Sequence, residues 1–372
     1  MSEGAKRIDS MDALRGLAVL LMLEVHLGFW WARSAPSGEP LVIAGTMLGG
    51  TGAPLFLLLA GVGLAVSQER RPDGFLKRTA VRGLLLVLVG IVFTYIMQAV
   101  YGPWGWGVLQ CIGVSLLLTA PLMLGFGERK SRLGPGHRAL VGVGLMLMAP
   151  LLRAFAGIPS LLWNDDMASV PTVADYFDRM LLSGFFPLLP WTGFVIVGTA
   201  AGEWLFGRRP SLGSAVALSL SLAIVGAIIA ARGLETAFFP PSLSFTFAVA
   251  GICLLVMCAS AKWHVPGTRL LAPMGRLSLT LFVAHHFIGY LGVRATGGLN
   301  SLELLPDLVM VIVSWLLCIL LSWLWSAADY RYGLEWLIAS AERRATKGIN
   351  TPPGDSGRRS RGGKDDAPGR AS

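Results

Sequence analysis

Apolar stretches of about twenty residues, the length a helix needs to cross a bilayer, recur along this chain and leave it few alternatives. Inside hydrocarbon every backbone N–H and C=O must be satisfied within the structure, so such stretches become helices packed against one another. Ten segments qualify: 14–32, 53–68, 83–100, 107–125, 138–153, 185–206, 212–231, 243–261, 273–293 and 307–328. Hydrophobic residues make up 54% of the sequence and charged ones 14%, a balance that excludes an ordinary soluble domain. The stretch 41–52 is apolar but interrupted by Gly45, Gly49, Gly50 and Gly52, and reads as a lead-in or re-entrant piece. The fold class that follows is all-α: a polytopic membrane protein of about ten transmembrane helices.

Charge placement tests the count independently. With the N-terminus in the cytoplasm, basic residues gather before and at the start of the first span, at 70–82, 129–138, 208–209 and 262–276, and beyond 331. Of 31 Lys and Arg, only Arg33, Arg153, Arg179, Arg232 and Arg294 fall on the opposite side. One span missed or added in the middle would destroy that asymmetry, so the positive-inside rule supports ten spans with both termini cytoplasmic. The net charge of +9 is then orientation charge, with a basic tail facing anionic lipid, and not a nucleic-acid footprint.

The domain reading is a cytoplasmic N-terminus at 1–12, a membrane domain at 13–330, a cytoplasmic juxtamembrane segment at 331–347 and a basic tail at 348–372. The tail is too poor in apolar residues to fold and is expected to be disordered. The first apolar run carries Glu24 and His26 and ends in Trp30-Trp31, so it reads as a retained helix and not a cleaved signal peptide. Cys111, Cys253, Cys258 and Cys318 all fall inside predicted spans without metal-ligand spacing. They read as small packing residues, and no metal is expected.

The polar residues left inside the spans carry the chemistry. Arg15 and His26 share the first span with ten residues between them, about three helical turns, which puts both on one face roughly 16 Å apart. The ninth span repeats the layout, with Arg276 at its cytoplasmic start and His285 and His286 at mid-depth. Span-end arginines often only anchor topology, and a buried histidine often only bonds a neighbouring helix. Ionisable groups at membrane depth are nonetheless functional candidates by default. Glu24 lies two positions from His26, so it points to another face and reads as a partner for a neighbouring helix. The repeated layout predicts that spans one and nine pack together and bring His26 and His285 into one polar cavity.

The opening from Arg7 to Ala18, closing at His26, resembles the first-helix signature of the transmembrane acyltransferase superfamily, and its Arg-x10-His spacing resembles the acyltransferase family 3 branch. Four further segments resemble the bacterial relatives of heparan-α-glucosaminide N-acetyltransferase. They are Gly52-Ala-Pro54 through Gly61, Gly107 through Gly113, Leu189-Pro190-Trp191-Thr-Gly-Phe, and Gly275-Arg276-Leu-Ser278 through His285. The resemblance spans residues 7–290 and implies a multi-pass enzyme of a bacterial cytoplasmic membrane. Such an enzyme takes an acyl group, acetyl foremost, from cytoplasmic acyl-CoA and delivers it to a sugar amine or hydroxyl of a glycan on the far side. It implies catalytic roles for His26 and His285 and a donor-binding role for Arg15. One family histidine, in the loop after the first helix, has no counterpart at 31–37.

The implied reaction suits these residues. A thioester is already activated, so the enzyme must orient the donor and remove a proton from the acceptor, work suited to an imidazole acting as general base. The polyanionic nucleotide of acetyl-CoA, or of another acyl-CoA, calls for cytoplasmic-face arginines, here Arg15, Arg276 and Arg82 with Asp12 beside them. Gln110 has two readings, a donor to the developing oxyanion or a helix-packing amide. The rival from another class is a secondary transporter of a small organic solute, which shares broken helices and intramembrane ionisable residues. No internal repeat relates the two halves of the chain, which counts against it.

Overall fold

A computed structural model describes residues 9–31, 48–97, 105–124, 133–157, 172–233, 241–263, 267–296 and 302–346. The described chain is all-helical. Its helices are α1 Asp9–Trp31, α2 Gly52–Arg70, α3 Phe75–Ile96, α4 Val108–Leu124, α5 Pro135–Ala156 and α6 Val173–Asp178. They continue as α7 Leu188–Phe206, α8 Leu212–Ala231, α9 Leu243–Lys262, α10 Thr268–Arg276, α11 Ser278–Thr296, α12 Leu304–Ser326 and α13 Leu334–Ala345. Each of the ten apolar segments is helical over most of its described residues. Among the described residues six helices (α2, α3, α5, α8, α9 and α12) are long and apolar enough to cross a membrane. A seventh span arises if α7 is joined to the segment Val173–Ser183 that precedes it at a bend of 41°. The protein is an integral, multi-pass membrane protein.

Burial sorts these helices into an inner and an outer set. Residues 190–202 of α7 are buried without interruption, and most of α2 is buried too. By contrast α3, α5, α8 and α12 turn most of their length outward and expose aliphatic faces, such as Leu305, Ile312, Leu316 and Leu320 on α12. An exposed face of this composition is stable against lipid tails and not against water.

Apolar helices in lipid gain little from hydrophobicity alone, so close packing has to hold them together. Where α2 crosses α7, a Cβ placed on Gly61 would run into the Val195 carbonyl, and one placed on Gly198 would run into the Leu58 carbonyl. The same device seats α10 on α1: a Cβ at Gly16 would strike the Leu271 carbonyl, and one at Gly275 the Asp12 carbonyl. Glycine at both faces lets two backbones touch, and here it fixes the relative position of the first and ninth apolar segments.

The ninth segment departs from the sequence reading. Instead of one continuous span over 273–293 it is two helices, α10 and α11, broken at the fully buried Leu277. Pro273 inside α10 lacks an N–H and weakens helix continuation there. The first N–H groups of α11 find a partner outside their own helix: the Glu335 carboxylate on α13 accepts from Leu279 N at 2.5 Å, Thr280 N at 3.2 Å and the Thr280 hydroxyl at 2.5 Å. A carboxylate at a helix N-terminus is the arrangement that the exposed donors and the helix dipole favour. Burial pushes the Glu335 carboxyl up from its ordinary value, against the pull of these hydrogen bonds.

Part of the sequence reading lies outside the described residues: most of the 41–52 stretch and the 348–372 tail. Residues 331–347 are helical over Leu334–Ala345.

Candidate functional site

Three histidines from two helices meet beside α3. His26 projects from α1, and the adjacent pair His285 and His286 straddles the edge of α11 that faces it. Nδ1 of His26 and Nε2 of His285 are 3.1 Å apart. The ring centroids lie 5.1 Å apart for His26 and His285, 4.5 Å for His26 and His286, and 4.1 Å within the adjacent pair. Phe93 of α3 stands edge-on to His286 at 5.0 Å, and Phe282 lies 4.8 Å from the same ring. His285 and His286 are buried and His26 is half-buried.

The hydrogen bonds assign the protons. Nδ1 of His285 lies 3.0 Å from the Leu281 carbonyl, and Nδ1 of His286 lies 3.0 Å from the Phe282 carbonyl. A carbonyl only accepts, so both Nδ1 atoms carry hydrogen, and in the neutral rings both lone pairs lie at Nε2. The contact between His26 and His285 therefore has the Nδ1–H of His26 donating to Nε2 of His285, which leaves the lone pair of His26 on its own Nε2.

A second constellation sits at the other end of the same helices. Asp12 of α1 is buried and takes two arginines: Arg15 pairs with Oδ1 at 3.0 Å, and Nε of Arg276 lies 3.4 Å from Oδ2. Arg276 also reaches Asp9 at 3.3 Å, and its guanidinium lies over the Tyr330 ring at 5.2 Å. With Arg276 joined to Asp12 at one end and His285 joined to His26 at the other, α11 runs parallel to α1, whereas α10 runs antiparallel to it, Leu271 meeting Gly16 and Gly275 meeting Asp12. His26 and His285 meet as the repeated layout predicts, but only the α11 half of the ninth segment runs in the direction of α1.

The remaining sequence candidates lie apart from the histidines. Arg82 forms a two-contact pair with Glu342 of α13, at 2.6 and 3.4 Å. Gln110 is buried with its amide engaged throughout: Oε1 accepts from Gly107 N, and Nε2 donates to the Thr94 hydroxyl and the Gly105 carbonyl, each at 3.2 Å. Both of its amide hydrogens are in use. Glu24 packs toward Gly49, where Oε2 is buried without a hydrogen-bond partner, and it is not among the clustered ligating groups.

Two residues escaped the sequence argument. His286 was visible beside His285 but had no role assigned, because position alone does not show that both neighbours face the same helix. Asp307, buried near the start of α12 with Oδ1 unpartnered, carried no sequence signal beyond being an acid at a span end. The three histidines also stand within ligating range of one another, one nitrogen of each lying within 4.8 Å of the others, although 259 positions separate His26 from His285. Spacing rules cannot detect a group of that kind.

A family profile described as heparan-alpha-glucosaminide N-acetyltransferase, catalytic, matches residues 7–232. A second, described as a protein of unknown function (DUF418), matches residues 201–345. No curated protein matches the chain. The two profiles divide the site between them: Arg15 and His26 fall in the first, and Arg276, His285, His286 and Glu335 in the second.

Proposed function

The chain belongs to the heparan-alpha-glucosaminide N-acetyltransferase catalytic family, and from that membership we propose that it transfers an acetyl group from cytoplasmic acetyl-CoA to an amine or hydroxyl of an extracytoplasmic glycan. The observation that carries this reading is the meeting of His26 and His285 at 3.1 Å on helices whose other ends share the Asp12–Arg15–Arg276 cluster.

Arg15 and Arg276 hold the anionic nucleotide end of the donor, with Asp12 keeping their guanidinium planes oriented between turnovers. The pantetheine arm then lies along α1 toward the imidazoles. Nε2 of His26 takes the acceptor's proton as the acceptor attacks the thioester carbon. The carbon–sulfur bond breaks, and the leaving thiolate is protonated to coenzyme A thiol, so the reaction is proton-neutral overall for a hydroxyl acceptor. His285, accepting from Nδ1–H of His26, holds that ring in the tautomer whose Nε2 is basic. Arg82 and Glu24 support this site from its margins.

Purified full-length protein incubated with acetyl-radiolabelled acetyl-CoA and a glucosamine-terminated oligosaccharide tests the reading. Transfer of label to the sugar is expected, with Arg15→Ala weakening acetyl-CoA binding by about tenfold, the value of one charge-assisted contact. Folded protein that neither binds acetyl-CoA nor turns it over would overturn it in favour of solute transport.

A further inference from the structure

The proton chemistry assigned to the cluster uses His26 and His285 but gives His286 nothing to do. Yet His286 completes a set of three imidazoles, with nitrogens within 4.8 Å of one another and no carboxylate among them. We propose that His26, His285 and His286 bind a borderline-soft divalent cation, Zn2+ foremost, and that an occupied site silences acetyl transfer. The binding half stands on the cluster alone, and the silencing half rests on the reading of His26 as the base.

Three features of the cluster point to a metal of this class. Imidazole suits Zn2+, Cu2+ and Ni2+, whereas Mg2+ and Ca2+ need oxygen ligands that this cluster lacks. His285 and His286 each commit Nδ1–H to a carbonyl one turn back, at 3.0 Å. That bond fixes the ring and aims the Nε2 lone pair away from its own backbone, the outer-shell arrangement of metal-bound histidines. Tetrahedral ligation at about 2.0–2.1 Å per bond needs nitrogens a little over 3 Å apart. Nδ1 of His26 and Nε2 of His285 stand at 3.1 Å already, so ligation through these two atoms needs only a shift of the His26 hydrogen from Nδ1 to Nε2, and His286 supplies most of the closing movement. Three imidazoles leave a fourth position open in a tetrahedral site, and His26 is the half-buried member of the three.

Occupancy and catalysis exclude each other for a simple reason. A neutral imidazole has one lone pair in its ring plane, so a metal bound at Nδ1 of His26 leaves the ring's hydrogen on Nε2 and no lone pair to accept the acceptor's proton. Ligation also replaces the His26–His285 hydrogen bond with two metal–nitrogen bonds, removing the contact that holds His26 in its reactive tautomer. No proton is released when three neutral imidazoles bind, so the exchange balances without a further reactant.

The test uses the full chain in detergent, incubated with Zn2+ or Mg2+, desalted, and assayed in parallel for bound metal and acetyl transfer. About one zinc per chain is expected and no magnesium, with transfer lost on loading and restored by EDTA. His286→Ala is expected to lower zinc affinity at least about tenfold, and His286→Cys, which restores a soft ligand, to regain it. Cobalt absorption gives the same comparison independently of activity. Zinc bound equally tightly by His286→Ala, zinc that leaves transfer unchanged, or transfer that requires zinc would each overturn the proposal. If the alanine variant does not fold, the zinc–magnesium contrast and the cysteine variant still decide it. If no transfer occurs under any condition, the functional reading falls, while metal content and the cobalt spectrum still decide the site.

Discussion

One hydrogen lies between His26 and His285, and the chemistry of the pair depends on which ring owns it. The Leu281 carbonyl decides the matter from a distance: by holding Nδ1–H of His285 it makes Nε2 of that ring an acceptor, so the shared hydrogen belongs to His26. A base oriented in this way acts in the transition state more than in ground-state binding. His26→Ala is therefore expected to lower the single-turnover transfer rate by about 10²–10⁴-fold, the usual worth of a positioned base. Acetyl-CoA affinity, measured by calorimetry, should change little. A variant with the wild-type rate, or one whose loss lies wholly in donor affinity, would remove His26 from the chemistry. Arg15 and His26 were legible in the sequence because one helix carries both at a readable spacing. The engagement of both Gln110 hydrogens was not, since its partners Thr94 and Gly105 come together only through the packing of α3 against α4.

At the level of elements, the break between α10 and α11 governs where His285 and His286 stand. Hydropathy reads 273–293 as one span because Leu277 and its neighbours are apolar on both sides of the break. The group that satisfies the new helix start, Glu335, lies 56 positions after Leu279, beyond the reach of any local pattern. Gly333 and Leu334 complete the joint, the latter donating to the Thr280 hydroxyl at 2.9 Å. Glu335→Ala strands two backbone donors and a hydroxyl at a partly buried joint and should cost about 1–3 kcal/mol. Thermal unfolding in detergent reads that loss, and the histidines' loosened support should lower transfer in the same variant. Glu335→Gln, which keeps one acceptor oxygen, is expected to recover part of both. An alanine variant that unfolds and reacts like wild type would show that α13 does not hold the α11 helix.

Across the whole molecule, one pair of elements joins two chemistries. The arginine–aspartate cluster and the imidazoles are both carried by α1 and the α10–α11 pair: α10 is seated antiparallel on α1 through Gly16 and Gly275, and α11 turns back parallel to α1. In the proposed reaction the donor enters at the arginines and the acceptor arrives at the imidazoles. The membrane class and the helix positions were legible because bilayer thickness imposes a length that hydropathy reports directly. The composition of the site was only half legible, because the convergence of residues 26 and 286 is a product of packing. The sidedness implied by the basic residues is the remaining physical claim, and it meets the catalytic claim in one measurement. Protein is reconstituted into liposomes that enclose the glucosamine-terminated acceptor, radiolabelled acetyl-CoA is supplied outside, and only molecules with the arginine end outward can use it. The expected result is labelled sugar inside the vesicles, abolished in His26→Ala and in Arg15→Ala at low donor concentration. Labelling only when donor and acceptor share one compartment, or labelling that survives the loss of His26, would contradict transfer across the membrane through the histidine cluster.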